Sequence, residues 1–134
     1  MADLNSVRIY LYIEGYTCAS DEISEALGIS PDKVSVKGQI TPGHKVPARF
    51  NFLEVHSTMA ETEDLDKQIN SIIDKINDIE QFKAEVDDRK LNIGINTVIR
   101  LNGEASPVCA MSLTSKTLTK LSQLGCEMDF DIYG

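Results

Sequence analysis

Residues 113–133 carry the pattern that most constrains how this chain folds. Ser115 offers a hydroxyl that can accept from an otherwise unpaired amide of a first helical turn. Leu118, Leu121 and Leu124 follow at helical spacing, and Gly125 suits the left-handed residue that closes a helix. Beyond the glycine the period drops to two. Met128, Phe130 and Ile132 share one face, and Glu127, Asp129, Asp131 and Tyr133 share the other. The stretch therefore predicts a capped helix, a stop and an alternating strand.

The same grammar opens the chain. Val7, Ile9, Leu11 and Ile13 alternate with Arg8, Tyr10, Tyr12 and Glu14, which predicts a strand over 7–13. After Gly15, Ser20 is a cap for a short helix carrying Ile23 and Leu27 and ending at Gly28. Ser30 and Pro31 read as the start of a helical turn, and Val34 and Val36 as a brief strand ending at Gly38. Residues 39–49 hold two prolines and a glycine, which excludes a long helix and most central strands. Residues 50–55 read as a strand in which Phe50, Phe52, Leu53 and Val55 share one face only if a bulge intervenes.

From Thr62 to Ile79 an apolar stripe of Leu65, Ile69, Ile72, Ile73, Ile76 and Ile79 predicts one long helix capped at Thr62, with Glu63 and Asp64 near the positive end of its dipole. Phe82 and Val86 extend it as a second helical piece. Leu91, Ile93 and Ile95 start another strand, Asn102-Gly103 is a hairpin signal, and a further strand is expected near 108–113. Strand, short helix ending in Leu-Gly, and strand thus occur at 7–36 and again at 108–133. Such units predict an α+β two-layer sandwich, with a mainly antiparallel sheet and helices packed on one face. The isoleucine stripe is the natural cover for that sheet. One domain over 1–134, with a core from about 6 to 133, fits 134 residues of which 42% are hydrophobic.

Charge narrows the partners. The net charge is −8 and the pI near 4.7, which argues against nucleic acid, whose phosphates are bound chiefly by Lys and Arg. It favours a basic protein partner. No run approaches a membrane span, and Met-Ala-Asp-Leu-Asn lacks the pattern of a secretion signal, so a cytoplasmic protein without membrane association is expected. Cys18, Cys109 and Cys126 are odd in number and without a CxxC pair, as expected of reduced, mostly buried thiols. Residues 31–53 form a basic island, with Lys33, Lys37, Lys45 and Arg49 against Asp32 alone, whereas 54–90 hold eleven acids against five bases.

Several stretches together resemble a bacterial family. They are the opening strand, the segment Ile23 to Pro31 followed by Lys37-Gly38, the long middle helix, and the ending from Leu121 through Leu124-Gly125 to Asp131-Ile132-Tyr133. The family is filed as domain of unknown function 4279, and the resemblance runs from about Val7 to Tyr133. Members often carry a tryptophan in the central strand; this chain has none, and Phe50 or Phe52 would fill that place. The resemblance implies a bacterial, intracellular, single-domain α+β protein and no particular chemistry or cofactor.

Three groups of residues are candidates for function. Arg8, Tyr10 and Tyr12, with Glu14, lie on the polar side of the first strand, and tyrosine there suits an interface because it joins a large apolar body to a polar tip. Were the first and last strands neighbours, these would share a surface with Glu127, Asp129, Asp131 and Tyr133. The alternative is that helical residues such as Phe82 and Val86 cover the rings. The acids of the last strand could instead frame a divalent ion or simply guard a solvated edge. The second candidate is an anion-binding loop of His44, Lys45 and Arg49, although the GxxxxGK[ST] pattern is missing. The third is catalysis by His44 or His56, for which no GxSxG elbow and no recognisable nucleophile context exists. No catalytic residue, metal ligand or cofactor site is therefore assigned. A non-enzymatic interaction module is expected, one form being an immunity-type protein that neutralises a basic partner. The alternative is a small enzyme or metal or small-ligand binder using Asp129, Asp131 and His56.

Overall fold

A computed structural model describes residues 6–40, 43–101 and 111–133. In chain order the elements are β1 (Ser6–Glu14), α1 (Ser20–Leu27), β2 (Lys33–Ser35), β3 (Phe52–His56), α2 (Leu65–Ile73), α3 (Ile79–Arg89), β4 (Asn92–Arg100), α4 (Ser115–Leu124) and β5 (Glu127–Tyr133). The strands form one sheet in the order β2-β3-β1-β4-β5. Three pairings are antiparallel, and β5 runs parallel to β4. Parallel neighbours need a crossover, and the connection containing α4 supplies it. The fold is α+β, with helices packed on one face of a mixed sheet.

Alternation decides which face they cover. Val7, Ile9, Leu11 and Ile13 of β1, Leu53 and Val55 of β3, and Ile93, Ile95 and Ile99 of β4 are all buried in one cluster with Ile23, Leu27, Ile69, Ile72, Phe82, Leu121 and Leu124 of the helices. Each large side chain fully removed from water contributes about 1.5–3 kcal/mol. Strand β3 needs no bulge. Leu53 and Val55 alone face the core, Phe52 faces the other way, and Phe50 precedes the strand and is 66% exposed.

The isoleucine stripe is core, as expected, but it spans two helices. After Ile73 the chain tightens, with Lys75 N–H bonding Ile72 O and Ile76 N–H bonding Ile73 O. Asp78 then turns extended and accepts from Gln81 N–H at 3.1 Å, which caps α3. Ile76 stays buried through the break, so the stripe continues while the helix axis changes. Other boundaries also move. Asp64, not Thr62, precedes α2, and Ala19, not Ser20, precedes α1, neither with a side-chain cap bond. Thr114, not Ser115, caps α4 by accepting from Thr117 N–H at 3.2 Å. Ser30 and Pro31 form no helical turn, and residues 111–114 are not a strand. The Asn102-Gly103 hairpin signal, the rest of the 108–113 strand and Cys109 lie outside the described residues. The second strand-helix-strand unit is therefore built from β4, α4 and β5.

The last strand departs from its own pattern. Met128 packs against the core, but Phe130 and Ile132 are 52% and 63% exposed, because β5 lies at the sheet edge. Leu118 likewise turns outward on α4.

Two polar ties hold the helical layer. Buried Gln68 donates to Val7 O and Glu63 O, both at 3.0 Å, fastening α2 to the start of β1. Asp66 accepts from Thr114 N–H at 3.0 Å, joining α2 to the first turn of α4. That backbone bond chiefly holds the Asp66 carboxyl below its usual range, with further help from Thr117, Thr114 and Lys120 against the opposing effect of burial. A carboxylate with a depressed folded-state pKa stabilises the fold above its unfolded pKa, and this is lost as pH falls through the folded value. Asp66→Ala is expected to cost about 1 kcal/mol in urea unfolding at neutral pH. The difference from the unaltered protein should shrink as the pH is lowered; a pH-independent difference would contradict the assignment.

Candidate functional site

Among the described residues no helix covers the other face of the sheet, and its side chains follow from register. Across β1, β4 and β5 the rows read Tyr12–Gly94–Glu127, Tyr10–Asn96–Asp129, Arg8–Val98–Asp131 and Ser6–Arg100–Tyr133. On the β3 side, Tyr10 faces His56, Tyr12 faces Glu54 and Glu14 faces Phe52. The first and last strands are not neighbours, since β4 separates them.

One residue bridges the gap. Gly94 has no side chain, and a Cβ built there would sit 2.5 Å from Tyr12 Oη. The Tyr12 ring lies over β4 in that space and donates its hydroxyl proton to Asp129 Oδ2 at 3.1 Å on β5. Partial burial, this bond and the charges of Asp129, Glu127 and Glu14 push the Tyr12 pKa up to about 12, so the phenol remains a donor at neutral pH. Beside it, Asn96 Nδ2 donates to Tyr10 Oη at 2.5 Å.

The remaining face is a lattice of aromatic and charged pairs. The Arg8 guanidinium lies 5.6 Å from the Tyr10 ring centre and the Arg100 guanidinium 5.4 Å from that of Tyr133. The Tyr10 and His56 rings are 5.9 Å apart, tilted by 53°. His56 Nε2 meets Glu54 Oε1 at 2.8 Å, and Lys33 Nζ lies 3.9 Å from the same carboxylate and 5.6 Å from the Phe52 ring centre. Tyr10, Tyr12, Glu14, Phe52 and Glu54 line a shallow groove of about 270 Å³. Ring faces beside carboxylates suit a cationic side chain, which gains both ion pairing and cation–π attraction. Phe82 and Val86 lie in the helical core and do not cover the tyrosines.

The arrangement brings Arg8, Tyr10, Tyr12, Glu127, Asp129, Asp131 and Tyr133 onto one surface. It does not bring His56 to the acids of β5, because β1 and β4 intervene and three strand spacings are about 14 Å. Among the described residues no three His, Cys, Asp or Glu side chains gather so that they could hold a metal ion. Of the basic loop, His44 and Arg49 line a second shallow groove with Lys33, and Lys45 lines neither it nor the tyrosine groove. Cys126 is largely buried, which pushes its thiol up to about 12 against the opposing charge of Lys83. Gly94, Asn96, Phe52 and Glu54 escape a reading of the sequence. The available signal was a lone glycine inside an apolar strand, which marks a close approach.

The model of the family described as Domain of unknown function (DUF4279) matches residues 5–134, and the chain belongs to that family. No curated protein and no solved structure matches it. Among the described residues no helix is long and apolar enough to cross a membrane.

The Tyr12 bridge makes a sharp prediction. Asp129→Asn should lower the Tyr12 titration midpoint from about 12 toward the ordinary value of 10, read by phenolate absorbance. Gly94→Ala should do the same by displacing the ring. Because the displaced group is the far end of a half-exposed side chain, the loss of stability should stay near 1 kcal/mol. A Tyr12 midpoint unchanged in both variants would remove the bridge.

Proposed function

We propose that this member of the DUF4279 family is a binding module, without chemistry of its own, whose open sheet face takes a basic segment of a partner protein. The observation that carries this reading is the Tyr12–Asp129 hydrogen bond over Gly94, which joins the tyrosine pair to the acidic edge strand in one surface. Five carboxylates on that face, Glu14, Glu54, Glu127, Asp129 and Asp131, stand against Arg8, Lys33 and Arg100. Both guanidinium groups lie over tyrosine rings and Lys33 lies against Glu54, so among the described residues the β5 carboxylates Glu127, Asp129 and Asp131 have no ion-pair partner and can meet an incoming cation. Tyrosine supplies contact area at low entropic cost, and the acidic balance steers a basic partner at long range. Covering the cationic cleft of a basic protein, as an immunity protein does, is the concrete form we favour. Free Cys18 and Cys126 support a reducing compartment such as the cytoplasm.

The face carries its own optical probe. The chain has no tryptophan, and of its four tyrosines Tyr10, Tyr12 and Tyr133 lie here while Tyr16 is buried. Caesium should therefore quench the tyrosine emission more than iodide does at low salt, with the difference shrinking as salt is added. A peptide alternating arginine and leucine should shift the amide resonances of Tyr10, Tyr12, Asn96 and Asp129. Its Kd should rise with salt, and roughly tenfold, about 1.4 kcal/mol, on replacing Asp129 and Asp131 together by asparagine. Salt-insensitive binding, or shifts confined to the helical layer, would count against the proposal.

A further inference from the structure

The loop that carries the basic island is closed at its base. Gly38 N–H donates to Ala48 O and Ala48 N–H to Gln39 O, both at 2.9 Å, and Lys37 N–H donates to Asn51 Oδ1 at 2.8 Å. Asn51 Nδ2 donates in turn to Tyr16 O at 3.1 Å, tying the loop base to the turn after β1. This bracing sets Lys37, Arg49 and Phe50 around a cleft of about 470 Å³ that Tyr16 and the Glu14–Asn92 pair also line. The volume lies in the range of sites for small organic molecules.

The charges in this cleft are unmatched. Acids outnumber bases by 21 to 13 in the chain, and Lys33, Lys67, Lys75, Lys83 and Arg89 each have a carboxylate within 4.0 Å. Lys37 and Arg49 have neither a carboxylate nor a ring partner among the described residues. Beside them Phe50 is 66% exposed, a large ring kept in water at the mouth of the cleft.

We propose that this cleft binds a small organic acid, with its carboxylate or phosphate group held by Lys37 and Arg49 and a flat apolar body resting on Phe50. Arginine's planar fork meets either oxyanion with two parallel hydrogen bonds, and lysine adds a point charge. In a chain of net charge −8 an anion gains nothing from the overall field, so local unpaired cations are what such a ligand requires. Glu14 limits the ligand to one acidic group. Its carboxylate, which accepts from Asn92 Nδ2 at 2.7 Å, repels negative charge at a second position. The site adjoins the sheet face at Glu14, which lines both, but neither cation and no atom of Phe50 contributes to the tyrosine groove, so the two readings can fail separately.

The test is a heteronuclear NMR titration of the full chain with phenyl phosphate, benzoate, inorganic phosphate and, as the oppositely charged control, benzylamine. Phenyl phosphate and benzoate should shift the amides of Tyr16, Lys37, Arg49, Phe50 and Asn51 and saturate in the millimolar range or below, whereas benzylamine should leave them in place. Replacing Lys37 and Arg49 together by alanine should weaken both ligands by about tenfold or more. Both residues are solvent-exposed, and an unchanged melting temperature will show that the variant is folded. Phe50→Ala should weaken phenyl phosphate while sparing inorganic phosphate. The proposal is overturned if neither organic acid shifts these amides, if benzylamine shifts them equally, or if the double variant binds as the original does.

Discussion

One-sided burial of the central strand is the constraint on which the rest of the molecule depends. β1 lies between β3 and β4 and buries Val7, Ile9, Leu11 and Ile13 completely, so its neighbours must align their own apolar residues in the same plane. A slip of one residue in either pairing would turn a whole row of isoleucine and leucine into water. The helices then have one place to go, and their apolar stripes complete a single cluster with those rows. Among the described residues the helices all pack on that one side, and none covers the opposite face.

The bare face is consequently a surface of side chains held by one another rather than by a covering layer. Its longest reach, from β1 across β4 to β5, exists because one position has no Cβ. Any larger residue at Gly94 would restore an ordinary row of cross-strand pairs and leave Tyr12 beside Glu54 alone. The glycine thus trades local strand propensity for a connection between a central strand and the edge. At the far side of the sheet the 43–50 segment does a different job, because its base is braced by backbone and Asn51 bonds that hold exposed cations in place.

Much of the fold was legible in the chain because alternation and helical stripes are direct records of burial. The strand of Val7 to Ile13, the helix ending at Gly28 and the helix-glycine-strand ending at Tyr133 all follow from residue spacing. What was not legible depends on contacts distant in sequence. The break at residues 74–78 interrupts an unbroken apolar stripe, and only the packing of Ile76 and the cap at Asp78 decide it. Phe130 and Ile132 alternate like core residues, yet their exposure is set by the edge position of β5. Arg8, Tyr10, Tyr12 and the β5 acids could be placed on polar faces from the sequence alone. Their meeting across an intervening strand could not, because strand order is not written in periodicity.

The bond between Tyr12 and Asp129 joins residues 117 positions apart. Contacts of such separation form only after the loop-closure entropy of nearly the whole chain has been overcome, and parallel pairing adds to that delay. The central hairpin-like pairs of β1 with β3 and β4 can assemble without β5, but the acidic edge cannot join them until the crossover through α4 is complete. With only β1, β3 and β4 paired, Tyr10 and Tyr12 lie beside Glu14 and Glu54 but lack the carboxylates of β5. A surface that includes both β1 and β5 is complete only when every strand of the sheet is paired.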